Sequence, residues 1–344
     1  MDQEKLARLL GKIPVGVFNL LYVGRRIKID GQMLNAKAQF LCKVVDKQTL
    51  PASEDTVENE REQIEALSTT LGGDYIPLPY VEDFTIPGDG GPIPVRLYKP
   101  TDTDELLPVL IGFHGGGFIR GSVNSHDGLF RRLVSFGNFA VLSVDYRLAP
   151  EHKFPAAVDD AYKALTWVQE NGPSKGLDPK KIAIGGDSSG GNLAAVACQD
   201  AKRNKTEQPL IQVLIYPTTD SHFTANSHKL FAKGFFLTEE RMHWYRDLYL
   251  NSPEDMDNPR ASPLVADDVS GLAPALIISA GFDPLRDEAE DYAKRLKDAG
   301  VPVGMIRFEG MIHGFSSLSG LLPDADKSLK TIAEAVSQAF QNKV

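Results

Sequence analysis

Gly186-Asp187-Ser188-Ser189-Gly190 sets a serine between two glycines, and that spacing fits G-x-S-x-G. A serine hydroxyl is a useful nucleophile only when a base can take its proton and the turn carrying it exposes the oxygen. Small neighbours let a strand turn directly into a helix, whose N-terminus then favours a developing anion. The string alone is weak, and an ordinary βα glycine turn is the competing reading. Its placement gives it force, because Lys181–Ile184 reads as a buried strand and Asn192–Ala201 as a helix.

His114-Gly115-Gly116-Gly117-Phe118 follows another apolar run, Pro108–Phe113. Three consecutive glycines leave backbone N–H groups open to a ligand oxygen, which is what an oxyanion hole requires. No glycine run here satisfies G-x-G-x-x-G or the phosphate-binding pattern that ends in Gly-Lys-Ser/Thr. A serine nucleophile also needs a base, and the base an orienting carboxylate. Of seven histidines (114, 126, 152, 222, 228, 243 and 313), only His313 lies in a glycine-flanked loop just beyond a late strand. Asp283, in Gly281-Phe282-Asp283-Pro284, follows the strand Ala275–Ala280. The chain order Ser188, Asp283, His313 suits three strand ends of one open α/β sheet, where ligand sites form.

The elements that must hold these residues follow a βαβ rhythm. Strand signals at Pro94–Tyr98, Pro108–Phe113, Phe139–Val144, Lys181–Ile184, Leu210–Tyr216, Ala275–Ala280 and Val301–Phe308 alternate with helical patterns near 157–168, 192–201, 287–299 and 326–340. That predicts a mostly parallel central sheet flanked by helices, an α/β fold. Residues 1–70 carry helical patterning at Lys5–Leu10, Pro14–Val23, Asn35–Val45 and Glu58–Leu67. Almost sixty residues separate Tyr216 from Ala275, too apolar for a disordered loop. Thr238 reads there as the N-cap of a helix with Met242, Tyr245 and Tyr249 on one face.

Composition excludes several classes. The 344 residues are 42% hydrophobic and 24% charged, the balance of a globular protein. A net charge of −9 is a poor match to nucleic acid, which needs a basic footprint, and would not attract an anionic membrane. No long apolar surface segment is expected, and Ile13–Val23 is too short to span a bilayer and lacks a cleavage site after it. A cytoplasmic protein is expected, with Cys42 and Cys198 as core hydrophobes and neither a metal nor an organic cofactor.

Five motifs in order, His114–Phe118, Asp145–Glu151 (DYRLAPE), Gly186–Asn192, Asp283–Glu288 and His313-Gly314-Phe315, resemble the hormone-sensitive-lipase-like (bacterial family IV type) esterases of the α/β-hydrolase fold. The resemblance covers the chain from about residue 76 onward. It implies a triad of Ser188, Asp283 and His313, and an oxyanion hole from Ser189 and two of Gly115, Gly116 and Gly117, with Gly116 and Gly117 favoured. It implies a catalytic domain over 71–344, and a helical cap made of residues 1–70 and an insertion at about 218–260. Phe118, Phe235 and Trp244 are expected in the substrate pocket. The family usually has Ala where this chain has Ser189, whose hydroxyl is expected to compete for hydrogen bonds near His313. The implied activity is hydrolysis of short- to medium-chain carboxylic esters through an acyl-enzyme, with long-chain triglycerides poor substrates and a homodimer as the expected assembly. Amide or carbamate cleavage is the nearest alternative. A non-catalytic small-molecule receptor, like the plant gibberellin receptors, is the alternative of another class, and the presence of His313 counts against it.

Overall fold

The computed structural model describes residues 9–46 and 51–341. Eight strands form the central sheet: β1 Tyr80–Ile86, β2 Ile93–Lys99, β3 Leu107–Phe113, β4 Ala140–Val144, β5 Leu177–Asp187, β6 Ile211–Ile215, β7 Ala275–Phe282 and β8 Val303–Ile312. Their order is β8-β7-β6-β5-β3-β4-β2-β1, with β2 antiparallel to both neighbours and every pair from β4 to β8 parallel. Strands β4, β6 and β7 are buried along their whole length, which is why they read as continuous apolar runs with no alternation.

Side chains alternate between two core layers, as strand geometry requires. Val109, Ile111 and Phe113 of β3 meet α5 (Ala156–Asn171) and α6 (Ser189–Asn204), whereas Leu110 faces α4 (Asp127–Gly137) and α10 (Pro323–Gln341). Before the sheet come α1 (Val15–Leu21), α2 (Ala36–Asp46) and α3 (Val57–Leu71). The segment joining β6 to β7 holds α7 (Asn226–Leu230) and α8 (Glu239–Tyr249), the latter capped by the Thr238 hydroxyl accepting from the Arg241 N–H. Helix α9 (Arg286–Asp298) then leads to β8.

Three features depart from the sequence reading. Strand β1 gives no apolar run, because it is an edge strand with Asp83 and Thr85 on its exposed face and Glu82 between Tyr80 and Phe84 on the half-buried one. Helix α4 is masked by Gly128 in its first turn and by two arginines, Arg131 and Arg132, that lie buried. Contrary to the expectation of no apolar surface segment, α1 exposes Val15, Val17, Leu20 and Leu21. Apart from Gly16 and Asn19 that helix is all apolar side chains, yet only Phe18 is buried. The helical reading over Lys5–Leu10 lies mostly outside the described residues. Cys42 and Cys198 are both buried and unbridged, and burial pushes the Cys42 thiol up to about 12. No helix among the described residues is long and apolar enough to cross a membrane.

Candidate active site

Parallel pairing brings the C-terminal ends of β5, β7 and β8 to one edge of the sheet, and the residues that follow directly are Ser188, Asp283 and His313. Ser188 sits at the β5–α6 turn with φ +56 and ψ −119, a conformation that non-glycine residues seldom adopt. The turn is held by the Ser188 N–H donating to the Ile215 carbonyl at 2.8 Å. A Cβ on Gly190 would lie 2.1 Å from the Phe113 carbonyl oxygen, so the elbow is pressed flush against the end of β3. That close approach is the physical content of the glycines around the serine.

His313 follows Ile312 at the end of β8, and its Nε2 is 2.9 Å from Ser188 Oγ. Its Nδ1 is 2.8 Å from Asp283 Oδ2. A carboxylate can only accept, so Nδ1 carries the proton and the Nε2 lone pair accepts from the serine hydroxyl. Asp283 is fully buried, and its other oxygen accepts the Leu285 N–H at 2.9 Å. Both carboxylate oxygens are therefore satisfied. The Tyr216 ring lies 4.9 Å from the imidazole and walls it from behind.

The glycine run after β3 faces the same space. Gly115 does not contribute a free amide: its N–H donates to Asp187 Oδ1 at 2.9 Å, which corrects its inclusion among the donors. Burial opposes ionisation of Asp187, but His126, 3.2 Å from its Oδ1, holds its carboxyl below the usual range. Burial pushes the His114 imidazole down to about 3, so it is neutral where it stacks on Tyr146 at 4.2 Å. Among the described residues the N–H groups of Gly116, Gly117 and Ser189 meet no acceptor. The Ser189 hydroxyl is fully buried and on the Tyr146 side, and the two polar contacts of His313 are Asp283 and Ser188. The expected competition near His313 is therefore not seen, because the first turn of α6 points this side chain into the core.

Ser188, His313 and the glycine run line one cavity of about 130 Å³. Phe118 is in its wall, stacked on Tyr249 with ring centroids 3.9 Å apart. Phe235 and Trp244 are not. Phe235 packs inward on Phe231 and Phe282, and Trp244 rests on the flank of Tyr245. The neighbouring Phe236 has φ +76, which turns its ring outward to the cavity instead. Phe223, Leu237, Met242 and Tyr245 line the insertion side, Ile64 and Leu67 of α3 the other. Met242, Tyr245 and Tyr249 were legible as one helical face. Phe223 and Phe236 carry no periodic signal, since both sit at positive φ in irregular chain.

The DYRLAPE loop packs beside this site through its charges. Arg147 pairs with Asp160 at 2.8 Å, Glu151 with Arg61 at 2.7 Å, and Asp145 accepts the Val123 N–H at 3.1 Å. Among the described residues no His, Cys, Asp and Glu side chains gather as metal ligands would.

Known proteins resemble this chain in sequence and in fold. Residues 110–317 match the model of a family described by its alpha/beta hydrolase fold. The carboxylic ester hydrolase LipN of Mycobacterium tuberculosis is 41% identical over 320 residues, 90% of this chain and 84% of its own. Ethyl acetate hydrolase of Pseudomonas putida is 36% identical over 84% of this chain and 92% of its own. Among solved structures, an esterase from the archaeon Pyrobaculum calidifontis is 42% identical with a TM-score of 0.82, over 88% of this chain and 96% of that one. An ester hydrolase from the metagenome of Lake Arreo, complexed with a bipyridine phosphonate derivative, is 36% identical with a TM-score of 0.86, over 90% of this chain and all of that one. With near full-length similarity on both measures, the chain belongs to the α/β-hydrolase-fold family, in its hormone-sensitive-lipase-like esterase branch.

Proposed function

We propose that this esterase hydrolyses short- to medium-chain carboxylic esters through a serine acyl-enzyme. The observation that carries the reading is the unbroken line from Asp283 Oδ2 through His313 to Ser188 Oγ, at 2.8 and 2.9 Å, beside three unpaired amides. Ser188 Oγ bonds to the ester carbonyl carbon while His313 Nε2 takes its proton. The carbonyl oxygen becomes an anion in the reach of the Gly116, Gly117 and Ser189 N–H groups, an arrangement that contributes about 3 kcal/mol per donor. Collapse breaks the bond to the alcohol, which leaves with the proton from Nε2. Water then repeats the sequence and releases the acid and the free serine.

Helix α3 and the insertion around 223–249 act as the cap of the site, and their apolar walls set chain length. Each buried methylene stabilises binding by about 0.8 kcal/mol until the pocket is full. A cavity of about 130 Å³ is small. The optimum should fall on the order of four to eight acyl carbons, since typical ligand pockets are larger. A p-nitrophenyl ester series from acetate to palmitate, with native enzyme and Ser188→Ala, tests both parts. Equal rates from the two proteins would remove the enzyme reading, and triolein hydrolysis matching that of p-nitrophenyl butyrate would remove the cap reading.

A further inference from the structure

Glu60 lies on α3, far in sequence from any motif, and its carboxylate is buried beneath the cap. Its Oε2 accepts from Arg120 Nη1 and from the Tyr245 hydroxyl, both at 2.5 Å, and its Oε1 pairs with Arg241 Nη1 at 2.8 Å. Arg241 continues to Asp55 at 2.6 Å. Two arginines are thereby balanced by two carboxylates. One buried carboxylate joins three separate pieces of chain: α3, the end of the glycine loop and α8.

The two ends of this network bracket the proposed oxyanion donors. The Arg120 N–H donates to the Gly116 carbonyl at 3.2 Å and closes the turn on one side. On the other, the Tyr245 ring rests directly on Gly117, where a Cβ would come within 2.6 Å of the ring. Gly116 and Gly117 have φ of +134 and +65, so nothing in their own preferences fixes this loop in one shape. The loop needs outside support. Breaking a buried ionic network by removing one partner leaves an uncompensated charge, so this network resists being pulled apart.

We propose that Glu60 is a positioning residue: through Arg120 and Tyr245 it makes the shape of the Gly116-Gly117 loop depend on the cap being docked. The inference rests on the serine-esterase reading and adds to it that the roof takes part in transition-state stabilisation as well as lining the pocket. Ground-state substrate would feel the change little, because its carbonyl oxygen is neutral. The tetrahedral anion would feel all of it.

The experiment compares Glu60→Gln and Tyr245→Phe with native enzyme. It reads kcat and KM on p-nitrophenyl butyrate, and the Ki of an alkyl trifluoromethyl ketone, which forms a tetrahedral anion on the serine. Glu60→Gln should lower kcat on the order of 10- to 100-fold and raise Ki by a similar factor, with KM within about threefold. Tyr245→Phe keeps the ring on Gly117 but loses the bond to Glu60, and should shift kcat and Ki together by a smaller factor. It also serves as the test if Glu60→Gln does not fold. An unchanged ratio of Ki to KM in folded, active variants would overturn the proposal and leave Glu60 as a roof support only. That result is distinct from failure of the esterase reading, which would appear as native-like turnover in Ser188→Ala.

Discussion

The strand-end edge and the roof above it are positioned by different physics. At the edge, Ser188, Asp283 and His313 hang from the C-terminal ends of parallel strands, and backbone hydrogen bonds fix them. In the roof, α8 meets α3 and the turn before it through side chains: Glu240 accepts the Ala52 N–H, Arg241 reaches Asp55, and Tyr245 reaches Glu60. Only the first kind of order is insensitive to single side-chain changes. The comparison implies that substitutions at the edge remove chemistry without moving the fold, whereas those in the roof alter rate, specificity and local stability by degrees.

The sharpest break is at the edge itself. Ser188→Ala, Asp283→Ala and His313→Ala should each lower kcat by about four orders of magnitude or more, and pairs should lose little beyond the worse single change. Circular dichroism and thermal unfolding should stay near native. His313→Ala with most of its kcat would mean the base is another group. A step down in size comes at the point where edge and roof touch. Gly117→Ala puts a methyl against Tyr245 at a residue of φ +65, so the loop must shift. The expected loss is about 100-fold in kcat, the scale of one oxyanion donor. Retention of native kcat would show that the Gly117 N–H is not used.

A smaller effect separates roof residues from one another. Phe236→Ala opens the cavity wall and should move the acyl optimum to longer chains, by about 0.8 kcal/mol in kcat/KM for each added methylene that now fits. Trp244 lies outside that wall, behind Tyr245, so Trp244→Ala should leave the optimum in place. If the two variants gave the same shift, the assignment of the wall would be wrong.

This contrast also explains what the sequence made legible. The edge is written in short strings, because a strand, its turn and its candidate residue are contiguous: Ile184 to Gly190 carries strand, elbow and proposed nucleophile together. Chain order then supplied Asp283 and His313. The roof is written in single residues scattered from Asp55 to Tyr249, whose only shared property is that they meet in space. Phe235 and Phe236 show the limit well. Adjacent and chemically identical, one is core and the other pocket, and the difference is a positive φ that no periodicity announces. Gly115 was equally opaque, since its amide is taken by Asp187, seventy-two positions away. Glu60 looked like one more charge on an amphipathic helix.

The smallest expected effect lies where the roof helix meets the DYRLAPE loop. Arg61 donates to Glu151 at 2.7 Å, to the Ile119 carbonyl at 2.9 Å and to the Ala149 carbonyl at 3.2 Å. The hydrogen bond from Arg61 is the leading reason that the Glu151 carboxyl is held down to about 2. A carboxyl with a depressed folded-state pKa adds stability above its unfolded value, about 4.3, and loses it as pH falls through the folded value. The pair is half exposed and screened by solvent, so its share should stay under about 1 kcal/mol. Arg61→Ala should therefore lower the Tm slightly at pH 7. The gap to native should narrow as pH falls from about 4.5 toward 2, since Glu151 is increasingly protonated in both proteins as pH approaches its folded-state value. What remains at the acid end is the two carbonyl contacts, which do not titrate. Raising salt at pH 7 should shrink the same part of the gap and leave the rest. A gap that is constant from pH 7 to pH 2 would show that Arg61 acts on the loop through those carbonyls alone.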